Sequence, residues 1–332
     1  MSPAVAFLRD LQDTCGGQIP FERFMQAALY HPEFGYYTTS IRQVGRHGDF
    51  STWPSMDASP ARALASWLRA GRLRHTIEIG AGSGQLASST LRHLGFLRRL
   101  RFHLHIVEIS PILRKSQQQL LRPHRVTWHD SVTAALQATN GTADIYSNEL
   151  IDAFPCRVFI RHLDTWKELA LRIDDSTVQE TTIDAELPES TALALPAPDG
   201  SRVEVHSAAR QWLADWRPHW KAGRLLTIDY GGSAPSIYHR RPHGTLRAYA
   251  HQQRLTNVYS AFGKRDITAD VNFDDVELWG RQLQLRTTFR GSFREFAAHQ
   301  NLAIPPAYEP AADAFFVLEQ EPDTSVRTNS LR

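Results

Sequence analysis

Apolar residues along the chain follow two rhythms. Short runs mark buried strands, and stripes at three- and four-residue steps mark amphipathic helices. From residue 75 the two alternate. Residues 75–79 predict a strand, 85–94 a helix, 102–107 a second strand, 111–121 a helix, 125–128 a third strand and 143–147 a fourth. The rhythm returns at 223–232 as a fifth strand, followed by a helix at 275–282 and strands at 283–289 and 314–320. Alternation of this kind predicts a parallel sheet with helices on both faces, and such sheets bind ligands beyond the carboxyl ends of their strands, where the strand order reverses.

Two flanking regions follow other patterns. Ahead of the sheet, residues 3–16, 20–30 and 58–70 read as helices, the second carrying Phe21, Phe24, Met25, Ala28 and Leu29 at helical spacing. Between them lies a polar, glycine-rich loop with Gly45-Arg46-His47-Gly48-Asp49-Phe50-Ser51-Thr52, either a plain surface loop or a lid. Residues 157–161, 166–173 and 178–183 read as antiparallel strands inserted after the fourth. A helix capped by Ser207 then carries Trp212, Trp216 and Trp220 in a stripe expected to be core. The expected fold is therefore α/β: a Rossmann-like seven-stranded sheet with helices on both faces, an N-terminal helical and lid segment over 1–70, and an inserted antiparallel cap over 157–222. The sheet itself would occupy 71–156 and 223–320, and 321–332, without apolar pattern, would be a disordered tail.

Composition narrows the classes. The chain has 332 residues, 42% apolar and 22% charged, with a net charge of +2, so a full core is available and no nucleic-acid or membrane partner is demanded. Cys15 and Cys156 are too few for a disulfide framework or a four-cysteine zinc site, and no metal set is assigned. The N-terminus lacks the apolar core of a secretory signal and the Arg-rich, acid-poor character of a transit peptide, and no stretch approaches the roughly 20 apolar residues of a membrane span. Cytoplasmic residence is the expectation that follows.

The chemistry concentrates at strand ends. Glu78-Ile79-Gly80-Ala81-Gly82-Ser83-Gly84 places an acid and three alternate glycines between the first strand and its helix. Glycines permit positive φ and close approach of a ligand, and the helix N-terminus beyond offers free N–H groups. A dinucleotide fingerprint would need its third glycine at position 85, where Gln85 stands. The spacing instead resembles the first motif of class I S-adenosylmethionine (SAM) methyltransferases. Glu108, closing the second strand, is placed to accept from ribose hydroxyls, and Asp130, after the third, either receives the adenine amino group or caps a helix. The fourth strand runs into Asn148-Glu149-Leu150-Ile151-Asp152. Paired carboxylates suit a guanidinium, which is planar and permanently charged, and one of them could take its proton. Glu149 and Asp152 would share one target if a helical turn forms there; the alternative is that Asn148 or Asp152 only caps a helix.

Several separated stretches together resemble the MidA-like family, which includes the mitochondrial complex I assembly-factor methyltransferase. They are residues 31–37, 48–52, Glu78 to Ala87, Val107 to Pro111 with Leu113, Arg114 and Gln117, Asn148-Glu149 with Asp152 to Pro155, Ile228 to Gly231, Gly244 to Tyr249 and Asp266 to Phe273. The resemblance implies a class I, SAM-dependent protein-arginine N-methyltransferase that releases S-adenosylhomocysteine. Its acceptor would be a protein presenting an arginine, on a respiratory complex I-type subunit, which the mitochondrial relative dimethylates symmetrically. On matching positions it implies cofactor contacts from Gly48, Asp49, Phe50, Glu78, Gly80, Ala81, Gly82, Gly84, Glu108, Asp130 and Asn148. Glu149 and Asp152 would orient and neutralise the guanidinium, with Asn148, Asp49 and Asp229 completing the site. Around 287–296 the chain departs from the family's usual pattern. Two other readings remain: a small-molecule methyltransferase, and an assembly factor that binds SAM without catalysis.

Overall fold

The computed structural model describes residues 2–40, 53–174, 177–239, 241–250, 253–255 and 257–323. It divides into two compact units. The larger comprises Arg42–Leu150, Trp212–Gly232 and Val276–Arg332, the smaller Met1–Ile41, Ile151–Gln211 and Ser233–Asp275.

In the larger unit seven strands lie on one path: β1 (His75–Ile79), β2 (His103–Val107), β3 (Val126–His129), β4 (Asp144–Asn148), β5 (Leu225–Gly232), β6 (Leu285–Ser292) and β7 (Phe315–Pro322). Their order in the sheet is β6-β7-β5-β4-β1-β2-β3. The pairings among β1 to β5 are parallel, whereas β7 runs antiparallel between β5 and β6. Because side chains alternate across a strand, each face acquires its own apolar layer. Ile77, Ile79, Val107, Ile145 and Leu225 meet Val132, Ala135 and Leu136 of the helix Val132–Ala138, together with Trp216 and Trp220. The tryptophan stripe is core here, and the Trp220 indole N–H donates to Ala143 O at 3.0 Å. On the opposite face Leu104, Ile106, Tyr146, Leu226, Ile228 and Val317 pack with residues of α1 (Ser59–Ala70) and α2 (Gln85–His93). Each large side chain so buried contributes about 1.5–3 kcal/mol.

The amino-terminal ends of β4 and β5 are clamped by charge. Arg224 Nη2 meets Asp144 Oδ2 at 2.8 Å, and its guanidinium lies over the Trp67 ring, 4.1 Å from the centroid. The Trp67 indole N–H in turn donates to Glu319 Oε1 at 2.7 Å. Gly223 makes this approach possible, with φ of +132° and a position where a Cβ would lie 1.9 Å from Ala143 O.

The smaller unit holds the helices Pro3–Thr14 and Phe21–Tyr30 and an antiparallel sheet ordered Ile19–Pro20, Thr165–Asp174, Arg157–His162, Arg202–Val205, with Thr177–Ile183 also on Thr165–Asp174. Its interior is unusually polar. Glu204 is buried and accepts from Thr245 N and Oγ1 and from the Tyr238 hydroxyl, and burial raises its carboxyl above the ordinary range. Asp270 pairs with Arg241 and Arg247. Tyr36 is buried, and the Tyr37 hydroxyl donates to Asp266 Oδ1 at 2.8 Å.

These contacts divide the chain differently from the boundaries drawn on its sequence. Residues 212–222, assigned to the cap, belong with the larger unit because Trp216 and Trp220 are part of its core. Residues 233–275, assigned to the sheet, belong with the smaller unit, where Thr245 reaches Glu204. The last strand continues to Pro322, two residues into the expected tail, and 324–332 lie outside the described residues. Among the described residues no helix is long and apolar enough to cross a membrane.

Replacing Gly223 with alanine should lower stability by about 3 kcal/mol, since the new methyl meets backbone that cannot move without breaking the β4–β5 pairing. Urea unfolding followed by tryptophan fluorescence measures it, and a loss below about 1 kcal/mol would show that the backbone relaxes freely there.

Candidate functional site

β1 lies between β2 and β4, so the chain reverses direction across the sheet at β1. A crevice opens beyond the carboxyl ends at such a reversal. The larger unit brings Glu78, the glycine loop, Glu108, Asn148, Glu149 and Asp229 to the carboxyl-terminal parts of β1, β2, β4 and β5 or just beyond them.

The glycine loop owes its course to three positive φ angles, +69° at Gly80, +53° at Gly82 and +77° at Gly84. Gly80 N donates to Val107 O at 2.9 Å, and Gly84 N to Ala81 O at 2.8 Å, so the loop is pinned before α2 begins. The two outer glycines are enclosed: a Cβ at Gly80 would lie 2.9 Å from Leu150 Cδ1, and one at Gly84 3.3 Å from Gln117 Cγ. Gly82 differs, with nothing within 4 Å of the position a Cβ would take. The middle of the loop therefore presents bare backbone to open space.

Beneath the loop Glu78 is 3% exposed. Burial raises its carboxyl to about 7 against the pull of a hydrogen bond from Tyr146, with Glu108 pushing the same way as burial. Its Oε2 is buried and has no hydrogen-bond partner. An acceptor left unsatisfied costs about 1–3 kcal/mol, an expense that a bound donor would remove.

Glu108 is held from two sides. Ser110 N donates to Oε1 at 2.9 Å and Gln117 Nε2 to Oε2 at 2.9 Å, while burial raises its carboxyl above the ordinary value. The same Gln117 amide donates to Gly82 O at 2.8 Å and accepts from the Trp128 indole at 3.0 Å. One fully buried side chain on α3 (Pro111–Leu120) thus ties the glycine loop, the β2 acid and β3 together. The Ile109 backbone N–H also acts on it, and a carboxylate's roughly four acceptor positions leave Glu108 room for a ribose hydroxyl. Asp130, by contrast, has a 90% exposed carboxylate paired with Arg114 at 2.6 Å, and that arginine also donates to Glu108 O.

At the end of β4, Asn148 Nδ2 donates to Glu149 Oε1 at 3.0 Å. Glu149 occupies the left-handed region with φ of +52°, and the short helical turn begins only at Ile151. Glu149 and Asp152 are therefore not successive positions on one helical face. Asp152 belongs to the smaller unit, where its side chain is buried and its carbonyl accepts from Ala269 N. Asp229, fully buried, receives Leu150 N on Oδ2 at 3.0 Å and Tyr230 N on Oδ1 at 2.9 Å. With Glu149 N donating to Ile228 O, this carboxylate holds the β4 tip against β5. Gly48, Asp49 and Phe50 lie outside the described residues.

Gln117 and Tyr146 have larger parts than their sequence context announces. A polar residue on the inward face of α3 was the available signal for Gln117; Tyr146 reads only as one more apolar strand position.

Comparison with known proteins agrees with this geometry. A family model described as "Putative S-adenosyl-L-methionine-dependent methyltransferase" matches residues 61–290. Protein arginine methyltransferase NDUFAF7, mitochondrial, of Danio rerio is 26% identical over 77% of this chain and 67% of its own length. The Drosophila melanogaster homolog is 27% identical over 77% of this chain and 65% of its own. The chain thus spans about two thirds of these curated relatives. A Burkholderia thailandensis crystal structure with S-adenosyl-homocysteine bound superposes with a TM-score of 0.81 at 26% identity, covering 96% of this chain and 92% of that one. Cytoplasmic residence, expected from the N-terminal composition, is overturned by the relatives, which are named as mitochondrial proteins. The expectation failed because composition excludes address signals of known pattern and says nothing positive about compartment.

The bare Gly82 backbone, the orphaned Glu78 oxygen and the residual acceptor capacity of Glu108 fit the cofactor of these relatives. Two outcomes follow. Gln117→Ala should weaken S-adenosylhomocysteine binding about tenfold by calorimetry, because Glu108 and Gly82 lose their common tether. For Glu78 the folded carboxyl keeps its proton up to about pH 7 and the unfolded one releases it near 4.5. The folded state therefore binds more protons between those values, and stability falls as pH rises through that window. Glu78→Gln should flatten this segment of the melting-temperature profile and stabilise the ligand-free protein at pH 8, while weakening cofactor binding. An unchanged slope would count against the buried, protonated state.

Proposed function

The chain belongs to this family of S-adenosyl-L-methionine-dependent methyltransferases, and from that premise we propose that it methylates an arginine side chain presented by a protein. The observation that carries the proposal is the β4 tip, where a carboxylate and a carboxamide sit side by side in a backbone conformation unfavourable to glutamate and fixed by Asp229. Strained φ values cost about 1–3 kcal/mol and persist where the surroundings over-determine them, commonly at sites of function. The names of the curated relatives support arginine as the acceptor.

When bound, the cofactor supplies a sulfonium methyl open to in-line displacement by a nitrogen nucleophile. The rest is positioning and electrostatics, which this chain's residues can provide. The glycine loop would wrap the methionine part of the cofactor, and Glu108 would accept from its ribose hydroxyls. Glu149, whose Oε1 accepts from Asn148, would take up guanidinium N–H groups and receive the proton the attacking nitrogen gives up. Asp229 acts by holding backbone, so its role is to position Glu149. The narrower acceptor, a respiratory complex I-type subunit, rests on the MidA-like resemblance.

The test is to incubate purified protein with methyl-labelled SAM and a cell extract, then hydrolyse the protein fraction. Label in methylarginine is the expected result. Label confined to small molecules would replace the arginine reading with the small-molecule one, and no transfer despite cofactor binding would favour an assembly factor. Glu149→Gln should lower turnover about a hundredfold or more, with S-adenosylhomocysteine affinity nearly unchanged. Full turnover in that variant would remove Glu149 from the mechanism.

A further inference from the structure

Four histidines line one face of three neighbouring strands, two of them at the strand starts, the end of the sheet away from the glycine loop. His75 opens β1, His103 opens β2 with His105 two residues on, and His129 closes β3. Strand alternation puts His75 on the face of Ile77 and Ile79, and His103 and His105 on that of Val107, the layer that carries the helix Val132–Ala138. His75 and His103 are paired in register, and the rings form a stack, with His103 and His105 centroids 4.2 Å apart.

The nitrogens are arranged in an informative way. His105 Nδ1 lies 2.9 Å from His129 Nε2, and His103 Nε2 lies 2.8 Å from Thr127 Oγ1. If these nitrogens carry the protons, the opposite ones, His105 Nε2 and His103 Nδ1, present lone pairs. His105 Nε2 is 3.0 Å from His75 Nδ1, and His103 Nδ1 is buried with no partner. A self-contained histidine ladder has no use for that orphaned nitrogen. Among the described residues, His75, His103 and His105 can each offer one ligand atom, all within 4.8 Å of one another.

We propose that His75, His103 and His105 form a binding site for zinc or a neighbouring late first-row divalent cation, separate from the methyl-transfer site. Zinc takes imidazole nitrogens at about 2.0–2.1 Å, which places tetrahedral ligands about 3.3 Å apart. The 3.0 Å between His75 and His105 needs little change to meet that. Three neutral imidazoles suit zinc, copper or nickel over magnesium or calcium, and a fourth position stays open to water. His129 and Thr127 hold the outer nitrogens of His105 and His103, as partners of ligating histidines commonly do. Only His75 must move its Nδ1 proton, to its own Nε2. The opposing element is positive charge: Arg125 and Arg74 both act on His75 and would oppose a cation. The occupant is therefore a tightly coordinated transition metal, since a loosely held alkaline-earth ion could not overcome that field.

The experiment titrates chelator-stripped full-length protein with zinc chloride by calorimetry and with cobalt(II) by visible absorption. One equivalent of zinc should bind, cobalt should give the intense bands of a four-coordinate site, and magnesium should give no heat. His75→Ala and His103→Ala, at half-buried positions, should each weaken zinc at least about tenfold while leaving S-adenosylhomocysteine binding intact, which reports that the fold is kept. Thr127→Val should weaken it less. If the histidine variants fail to fold, the cobalt spectrum and nitrogen-bound histidine shifts of the unaltered protein decide. Absence of saturable zinc binding, a six-coordinate cobalt spectrum, or affinity that survives the His75→Ala/His103→Ala double substitution would overturn the proposal.

Discussion

The candidate chemistry depends on the parallel pairing of β1 with β4. That pairing sets Gly80 under Leu150 and brings the β4 tip beside the glycine loop. A slip of one residue would turn every side chain of β4 to the opposite face, exchanging Ile145 and Tyr146 between the two apolar layers. Register is thus enforced by cores on both sides, and the functional groups inherit their precision from packing that has no chemical role. The Asp144–Arg224 pair under Trp67 fixes the far end of the same strand.

The strands, their alternation with helices and the glycine loop were legible because each leaves a local signature: a short apolar run, a 3.6-residue stripe, glycines where φ must be positive. The limits of the two units were not, since they are set by contacts distant in sequence. Thr245 reaches Glu204 across forty-one positions, and Trp220 reaches Ala143 across seventy-seven. The relation between Glu149 and Asp152 was misleading for a different reason. Their spacing fits a helical turn, but Asp229 and Ile228 take up the backbone amides of Leu150 and Glu149, and the turn starts later. The histidine cluster was invisible because its members come from three strands far apart in sequence; only register collects them.

Glu78 shows how a site can be kept ready at the expense of the fold. A carboxyl buried beside a second acid, with one oxygen unsatisfied, is a net burden on the ligand-free protein. A hydrogen bond with Tyr146 relieves part of that burden and leaves Oε2 unsatisfied. A ligand that completes the hydrogen bonding is then favoured by the strain it removes as well as by the contacts it makes.

The position of β7 carries a further consequence, for biogenesis. It is the last strand described, yet it belongs between β5 and β6. While the nascent chain emerges, both of those strands must wait with open edges, and the sheet becomes continuous only once β7 is threaded in. Such late, non-local closure slows folding and leaves intermediates liable to pair with one another. The protein is thereby expected to need chaperone shelter more than its finished architecture suggests.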